Sequence, residues 1–443
     1  MPVDGSSVDA MTDHERVTVT CAAGKITGRS DGEIARFHSI PYSVIPGPFE
    51  DARRLPREQL SLIDATVHRP DTVALSVVAP AGARELADLP VVVYIHGGRF
   101  EYGTHGDRRA DGAPNARDGI VTVHVGYRVK LEGFARFHDD EPNHYRGIDD
   151  CQLGLEWVQR NIEAFGGDPT NVTLVGQSAG ATVALWLARR DHYRGAFRRI
   201  IAMSPCFPRQ SFEQRKGSLR MVLGKPVTRV SLSRLAAEKP EVLARAYDRF
   251  RTIHGLDMAL GPAGFDGAEL TELPILLTST RDEHYDMPAG RAVDAKGLGP
   301  AMVRLLARRM GVRGSVASYL RSVLELDPER PMGRLIGDSA NRRWVSQAAE
   351  EAPGPVWLAE FVAGPRPALH CAEIPHLFGL APEAQTDAGR ELFVGFVRGN
   401  APDWAAHDPA TGRKTQVLNI ANNDVILMED TLKMVREAFS PAR

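Results

Sequence analysis

Neither sign of charge dominates this chain. Its 54 basic side chains stand against 56 acidic ones, a formal net charge of −2. A balance so near zero removes the electrostatic ground for expecting nucleic acid or an anionic membrane surface as partner. Lysine is scarce, only eight of the 54 basic residues, and the arginine surplus reads as compositional bias rather than a phosphate-binding device. Long apolar runs are missing too. None approaches the roughly 20 residues of a spanning helix, and the tightest, Val91 to Ile95, is strand-sized. The four cysteines, Cys21, Cys151, Cys206 and Cys371, form no CxxC pair or Cys/His finger, so no metal site is expected. The opening stretch lacks the basic start and apolar core of an export signal and carries Asp4, Asp9, Asp13 and Glu15. It is expected to be a flexible lead-in over residues 1–16. The protein is then expected in a reducing cytoplasm, with free thiols and no disulfide.

What remains is ordinary globular material, 443 residues with 43% apolar and 25% charged, which excludes disorder, collagen and coiled coil. Short strands are predicted at Val17 to Thr20, Lys25 to Gly28 and Ile34 to Ile40, and an alternating one over Thr72 to Val78. Val91 to Ile95, Ile120 to Val125, Val172 to Val175 and Ile200 to Met203 are continuous apolar runs, as strands buried on both faces must be. Between them, Asp149 to Phe165 and Ala179 to Arg189 have helical patterning, the first stopped by Gly166–Gly167–Asp168–Pro169. Further strands are predicted at Ile275 to Thr278 and Val356 to Val362, a helix at Glu391 to Phe396 and an edge strand at Thr415 to Asn419. Buried strands alternating with helices imply a mostly parallel sheet covered on both faces. The charged, helical stretch 205–272 interrupts the pattern and reads as a cap.

The sharpest chemical signal is Gly176–Gln177–Ser178–Ala179–Gly180, placed where a predicted strand gives way to a helix. Such a turn needs small flanking residues and holds a nucleophilic serine at a helix N-terminus, where the dipole favours developing negative charge. The alternative is a glycine-rich corner whose serine merely caps the helix. His96–Gly97–Gly98–Arg99–Phe100 follows another strand. Its main-chain N–H groups, with that of Ala179, would form an oxyanion hole, and His96 reads as a loop-stabilising residue.

These residues resemble the type-B carboxylesterase (cholinesterase-like) family of α/β-hydrolases nearly end to end. Gly28 with Phe37–His38–Ser39–Ile40–Pro41–Tyr42 is similar to that family's opening motif, and Tyr127–Arg128 and Gly133–Phe134 match as well. Trp157 to Pro169, running into the elbow, is the most specific stretch, and Phe197 to Ser204 follows the family's next strand. The resemblance implies a serine–glutamate–histidine order. It points to Glu283 in Thr280–Arg281–Asp282–Glu283–His284 as the acid, with Asp282 its rival, and to His370 in His370–Cys371–Ala372–Glu373 as the base. His254, His284 and His376 are lesser rivals as base. Departures from the family pattern are Gln177 for glutamate before the serine, Arg99 for the third loop glycine and Cys371 for the glycine after the histidine. Asp150–Cys151 replaces an Asp–Gln pair, and Pro70–Asp71–Thr72–Val73 omits a cysteine motif.

The expectation is therefore an α/β-hydrolase fold over 17–443, with a shortened cap near 205–272 and antiparallel strands at the N-terminal side. The expected activity is hydrolysis of small-molecule carboxylic esters without cofactor or metal. Ser178 is expected as nucleophile, His370 as base, Glu283 as orienting acid, and Gly98, Arg99 and Ala179 as oxyanion donors. The Arg99 side chain either pairs with Glu101 or faces the acyl group. An amidase, carbamate hydrolase or lactonase on the same residues, or a non-catalytic interaction protein, are the competing readings.

Overall fold

The computed structural model describes residues 15–56, 62–382 and 387–440. Their frame is a 13-stranded sheet. Seven strands of it run parallel, in the spatial order Val121–Val125, Leu89–Ile95, Gly167–Gln177, Arg199–Met203, Ile275–Thr280, Val356–Val362 and Lys414–Asn419. Antiparallel strands Glu15–Cys21, Gly24–Ser30, Ile34–Ile40 and Leu75–Pro80 extend one side, and Asp424–Glu429 closes the other.

Neighbouring residues of one strand pack into different cores. Val91, Val93 and Ile95 join a cluster with Leu155, Val158 and Val183, whereas Val92 and Tyr94 join a second with Val175, Met203, Phe393 and Phe396. Side chains alternate across a strand, so both faces are covered. Helices Arg146–Asn161 and Ala179–Leu187 lie on one face and Ala388–Val397 on the other. Burial on both faces is what makes these strands legible as unbroken apolar runs.

Several expectations are corrected. Residues 1–14 of the lead-in fall outside the described residues, but Glu15 and Arg16 already belong to the first strand, paired with Ser30 and Arg29. The helix predicted to reach Phe165 gives way at Ile162 to a 3₁₀ turn, which ends at Gly166 in the left-handed conformation, φ 83°. The next strand begins at Gly167, five residues before the apolar run that announced it. Thr415 to Asn419 is not an edge, because Asp424–Glu429 pairs outside it. All six residues of that outer strand are exposed, so no buried face imposes an alternation on its sequence.

The stretch 205–272 holds helices Phe212–Leu223, Arg229–Glu238 and Pro240–Ile253. A second helical group, from Pro288–Asp294 to Arg343–Glu351, follows the strand Ile275–Thr280 and contains a π-helical turn at Asp338–Arg342. Among the described residues no helix is long and apolar enough to cross a membrane.

Histidines enclosed near the loop after Ile95 give the fold a predictable pH dependence. Burial pulls His38, His96 and His124 down to about 4, and burial with the neighbouring imidazoles brings His105 to about 3. Asp107 and Asp111 pull the other way at His124, and Arg36 reinforces burial there. In an unfolded chain histidines take up protons below about 6.5. Between that value and about 4 the unfolded state binds more protons, so stability falls as pH drops through the window. The unfolding free energy from urea titration, and with it the midpoint, is expected to decline from pH 7 to pH 5, by the order of 1–2 kcal/mol for each histidine that stays neutral in the fold. A midpoint that stays level across that range would show that these imidazoles protonate freely in the fold.

Candidate active site

Ser178 follows the last residue of the strand Gly167–Gln177 and precedes the first of the helix Ala179–Leu187. Its backbone sits at φ 55° and ψ −118°, a conformation that persists only where the surroundings impose it. They do so here by close approach. A Cβ on Gly176 would overlap the Gly180 carbonyl, and one on Gly180 would overlap the carbonyl of Ile95 on the adjacent strand. Only glycine fits either place. The Ser178 N–H donates to Met203 O at 2.8 Å, which ties the turn to the strand on its other side. The side chain is buried, and its Oγ lies 3.5 Å from Cys206 Sγ.

The loop after Ile95 packs on this turn. A Cβ on Gly97 would lie 2.7 Å from Gln177 O and 3.2 Å from Ser178 Cβ. Gly98, Arg99 and Phe100 then take φ 103°, 58° and 62°, left-handed backbone that a loop uses to turn its N–H groups in one direction. The N–H groups of Gly98, Arg99 and Ala179 have no acceptor among the described residues. His96 bonds Gly97 O through Nδ1 at 2.8 Å and stacks on Tyr127, whose hydroxyl donates to His96 O at 2.9 Å. It holds the loop's shape.

The third part comes from the ends of two later strands. Glu283 lies just beyond Ile275–Thr280 and is fully enclosed. One carboxylate oxygen accepts from Thr280 N at 2.9 Å and from the Ser204 hydroxyl, and the other is bonded to His370 Nδ1. Burial pushes Glu283 up, but the His370 charge and these hydrogen bonds outweigh it and hold the carboxyl low, at about 2. Burial likewise opposes the His370 cation, and Glu283 with Cys371 overrides it, lifting the imidazole well above its ordinary value. His370 Nε2 faces Gln177 Nε2 at 3.3 Å. The serine hydroxyl thus points to Cys206 while the imidazole points to Gln177, and bonds of this kind in unliganded sites commonly tighten only when substrate arrives.

Asp282 is employed elsewhere. It accepts from Arg334 Nη1 at 2.6 Å and from Ala368 N at 2.8 Å, which anchors the loop that carries His370. His376 is bonded to Asp387, and His254 lies 2.8 Å from Ser218 Oγ. His284 stacks against His370 at 4.5 Å between ring centroids. Arg99 approaches Glu101 at 3.9 Å and donates to Asp257 O at 2.9 Å, so its side chain is held on both sides. It lines a cavity of about 460 Å³ together with His284, Met287 and Ile336.

Four neighbours of the site had no role assigned from the sequence. Ser204 and Cys206 flank Pro205 beyond the strand Arg199–Met203, where the repeated small residues were the available signal. Asn341, in the π-helical turn, donates to Ser204 O at 2.7 Å and has no sequence signature. Glu373 is also enclosed, with neither carboxylate oxygen partnered, and burial beside Glu283 pushes it up to about 7.

The chain is similar to known esterases. A family profile described as "Carboxylesterase family" matches residues 56–274. The chain is 26% identical to "Para-nitrobenzyl esterase" of Bacillus subtilis (strain 168), over 96% of this chain and 99% of that protein. It is 26% identical to "Probable N-octanoylanthranilate hydrolase AqdA2" of Rhodococcus erythropolis, over 88% and 96%. A solved Geobacillus stearothermophilus carboxylesterase superposes with a TM-score of 0.75 at 22% identity, over 96% of this chain and 100% of the other, which shows the α/β-hydrolase fold.

The electrostatics yield a direct test. His370 should titrate, by histidine NMR, well above the 6.5 of a free imidazole. Glu283→Gln removes the charge that lifts it and leaves burial as the main influence, so the midpoint should drop below that value. An unchanged midpoint in the variant would mean that the carboxylate does not control the imidazole.

Proposed function

The chain belongs to the type-B carboxylesterase family, and from that membership we propose that it hydrolyses carboxylic esters through a serine-bound acyl intermediate. His370 Nε2 takes the proton of the Ser178 hydroxyl as Oγ attacks the acyl carbonyl. The imidazolium that results is stabilised by Glu283, which also keeps Nδ1 protonated and the ring in place. The N–H groups of Gly98, Arg99 and Ala179 receive the negative charge on the carbonyl oxygen. His370 then gives its proton to the leaving alcohol. A water, deprotonated by the same nitrogen, attacks the acyl-serine and releases the acid and the free hydroxyl.

The observation that carries this reading is the run of hydrogen bonds from Thr280 N and the Ser204 hydroxyl through Glu283 to His370, set beside an elbow serine in a forced conformation. The cap reading of 205–272 has its own support. The Asp257 carbonyl within it accepts from Arg99, and Arg251 Nη1 lies 3.3 Å from Glu101, so this stretch grips the oxyanion loop. Arg99, tethered in this way, forms part of the wall of the neighbouring cavity, which we assign to substrate because His284, in contact with His370, also lines it. The cytoplasmic placement is supported by four unpaired thiols, Cys21, Cys151, Cys206 and Cys371.

A second reading is hydrolysis of amides on the same residues. The similarity to the N-octanoylanthranilate hydrolase favours it, since an N-acyl bond is an amide. Matched p-nitrophenyl and p-nitroanilide substrates decide between them: the ester reading requires the ester to turn over faster by more than its intrinsic reactivity explains.

The variants expected to separate the roles are these. Ser178→Ala should lower p-nitrophenyl ester turnover on the order of 10⁶-fold with the fold intact by circular dichroism. Glu283→Gln should cost about 10⁴-fold. Asp282→Asn should keep most of the turnover while lowering the melting temperature, because it loosens Arg334 and Ala368. A Ser178→Ala protein with a tenth of the normal rate, or the reverse ranking of the two acids, would overturn the assignment.

A further inference from the structure

The arginine surplus is not spread evenly over the molecule. A cavity of about 710 Å³ lies between the end of the helix Pro240–Ile253, the loop 308–313 and the helices Arg343–Glu351 and Lys433–Phe439, and its wall holds seven arginines against two carboxylates, Asp257 and Glu351. Both carboxylates are already taken. Asp257 accepts from Arg215 and from the main chain of Arg209, and Glu351 accepts from Gly267 N and Gln347. Arg308 spends its donors on the carbonyls of Val312 and Arg313, and Arg436 is bound by Asp430.

Three cations are left over. The side chains of Arg309, Arg313 and Arg343 make no hydrogen bond or ion pair among the described residues. Arg309 and Arg313 are exposed, which costs them little. Arg343 is different: it is only 9% exposed, its Nη1 is enclosed and unpartnered, and it is sandwiched by Trp344 at 4.1 Å and Phe439 at 5.3 Å from the ring centroids. Burial, with the like charges of Arg209 and Arg313 and against the weaker pull of Asp257, brings its guanidinium down to about 10. A buried charge with no directly paired counter-ion is among the most costly things a fold can keep. Here the fold keeps it on the wall of an open cavity, with two further unneutralised cations beside it.

The size of the cavity falls in the range of small-molecule sites, roughly 300–1,000 Å³. The guanidinium fork matches the paired oxygens of a carboxylate or phosphate. Phe265, Leu306, Trp344 and Phe439 supply apolar surface next to these forks. Neither Ser178, Glu283 nor His370 lines this space. It shares Arg209, Ile253, Leu256 and Asp257 with the cavity beside Arg99, so the two stand back to back across one wall.

We propose that this cavity is a binding site for a small organic oxyanion, an acid or phosphate ester with an apolar body, in which Arg343 is the buried counter-charge and Arg309 and Arg313 guard the mouth. The site is separate from the ester-cleaving residues, and its occupancy does not depend on their roles.

Calorimetric titration of the full-length protein at constant ionic strength tests this, with benzoate as the carboxylate probe, phenyl phosphate as the phosphate probe and benzamide as the uncharged control. Saturable binding of at least one anion is expected, and the tighter of the two identifies the head group. Arg343→Met should weaken it at least ten-fold. Arg313→Ala, an exposed change that leaves the core untouched, should weaken it several-fold. Without ligand, Arg343→Met should melt no lower than the unmodified protein, since it removes an unpaired buried charge. The proposal is overturned if neither anion binds better than benzamide, if both variants bind as tightly as the unmodified protein, or if Arg343→Met alone melts markedly lower, which would make Arg343 a packing residue.

Discussion

At Gly180 the backbone of one element touches the backbone of another with no room for a single carbon between them. The carbonyl of Ile95 occupies the space where a side chain would begin. This approach sets how near the helix Ala179–Leu187 can come to the end of the strand Leu89–Ile95. It also decides that the loop leaving that strand must pass over Ser178. Gly97 shows the same tightness from the other side, against Gln177 and Ser178. A larger residue at either point would move the loop away from the serine, and N–H groups displaced by an ångström lose much of their hold on a developing charge. The strained backbone of Ser178 is sustained by these contacts and by the bond from its N–H to Met203 O.

Charge at the site is arranged in depth. Glu283 is enclosed and would resist ionisation if left alone, yet a main-chain N–H, a hydroxyl and an imidazole converge on it. Behind it the buried Arg342 pairs with Glu360 at 2.6 Å and with Asp338 at 3.2 Å, so the carboxylate lies near a compensated cation rather than in a purely apolar wall. Glu373 has no such support. Burial of its two bare oxygens and its position beside Glu283 push its carboxyl up to about 7, so the neutral acid and the anion are both populated at neutral pH. The charge of Glu283 is one cause of that rise, so of the two glutamates Glu373 is the one that keeps its proton to higher pH.

The parts of this protein legible in its sequence are those where one local constraint dominates. Strands buried on both faces need unbroken apolar runs, so the middle of the sheet could be read directly. The elbow needs glycines at fixed offsets from the serine, so Ser178 stood out on its own. Glu283 and His370 did not. Their loops carry no local pattern, and only the family resemblance pointed to them. The choice between Asp282 and Glu283 turns on Arg334 and Ala368, residues far apart in the chain. The outer strand Asp424–Glu429 was missed because no buried face patterns it. The arginine-lined cavity was invisible for the opposite reason: Arg209, Arg309, Arg313 and Arg343 meet only after folding, and along the chain they look like excess.

From the elbow strand onward, spatial order and chain order coincide. Gly167–Gln177, Arg199–Met203, Ile275–Thr280, Val356–Val362 and Lys414–Asn419 lie side by side in the sequence in which a ribosome would deliver them. Each strand pairs with the one that precedes it in the chain, although long helical stretches separate Met203 from Ile275 and Thr280 from Val356. The serine's turn thus precedes Glu283 in both orders, and Glu283 follows directly on the strand Ile275–Thr280. His370 follows Val356–Val362 in the chain, so a chain truncated before that strand carries the elbow without the imidazole that pairs with Glu283. On the proposed mechanism such a chain would hold a serine with no base to activate it.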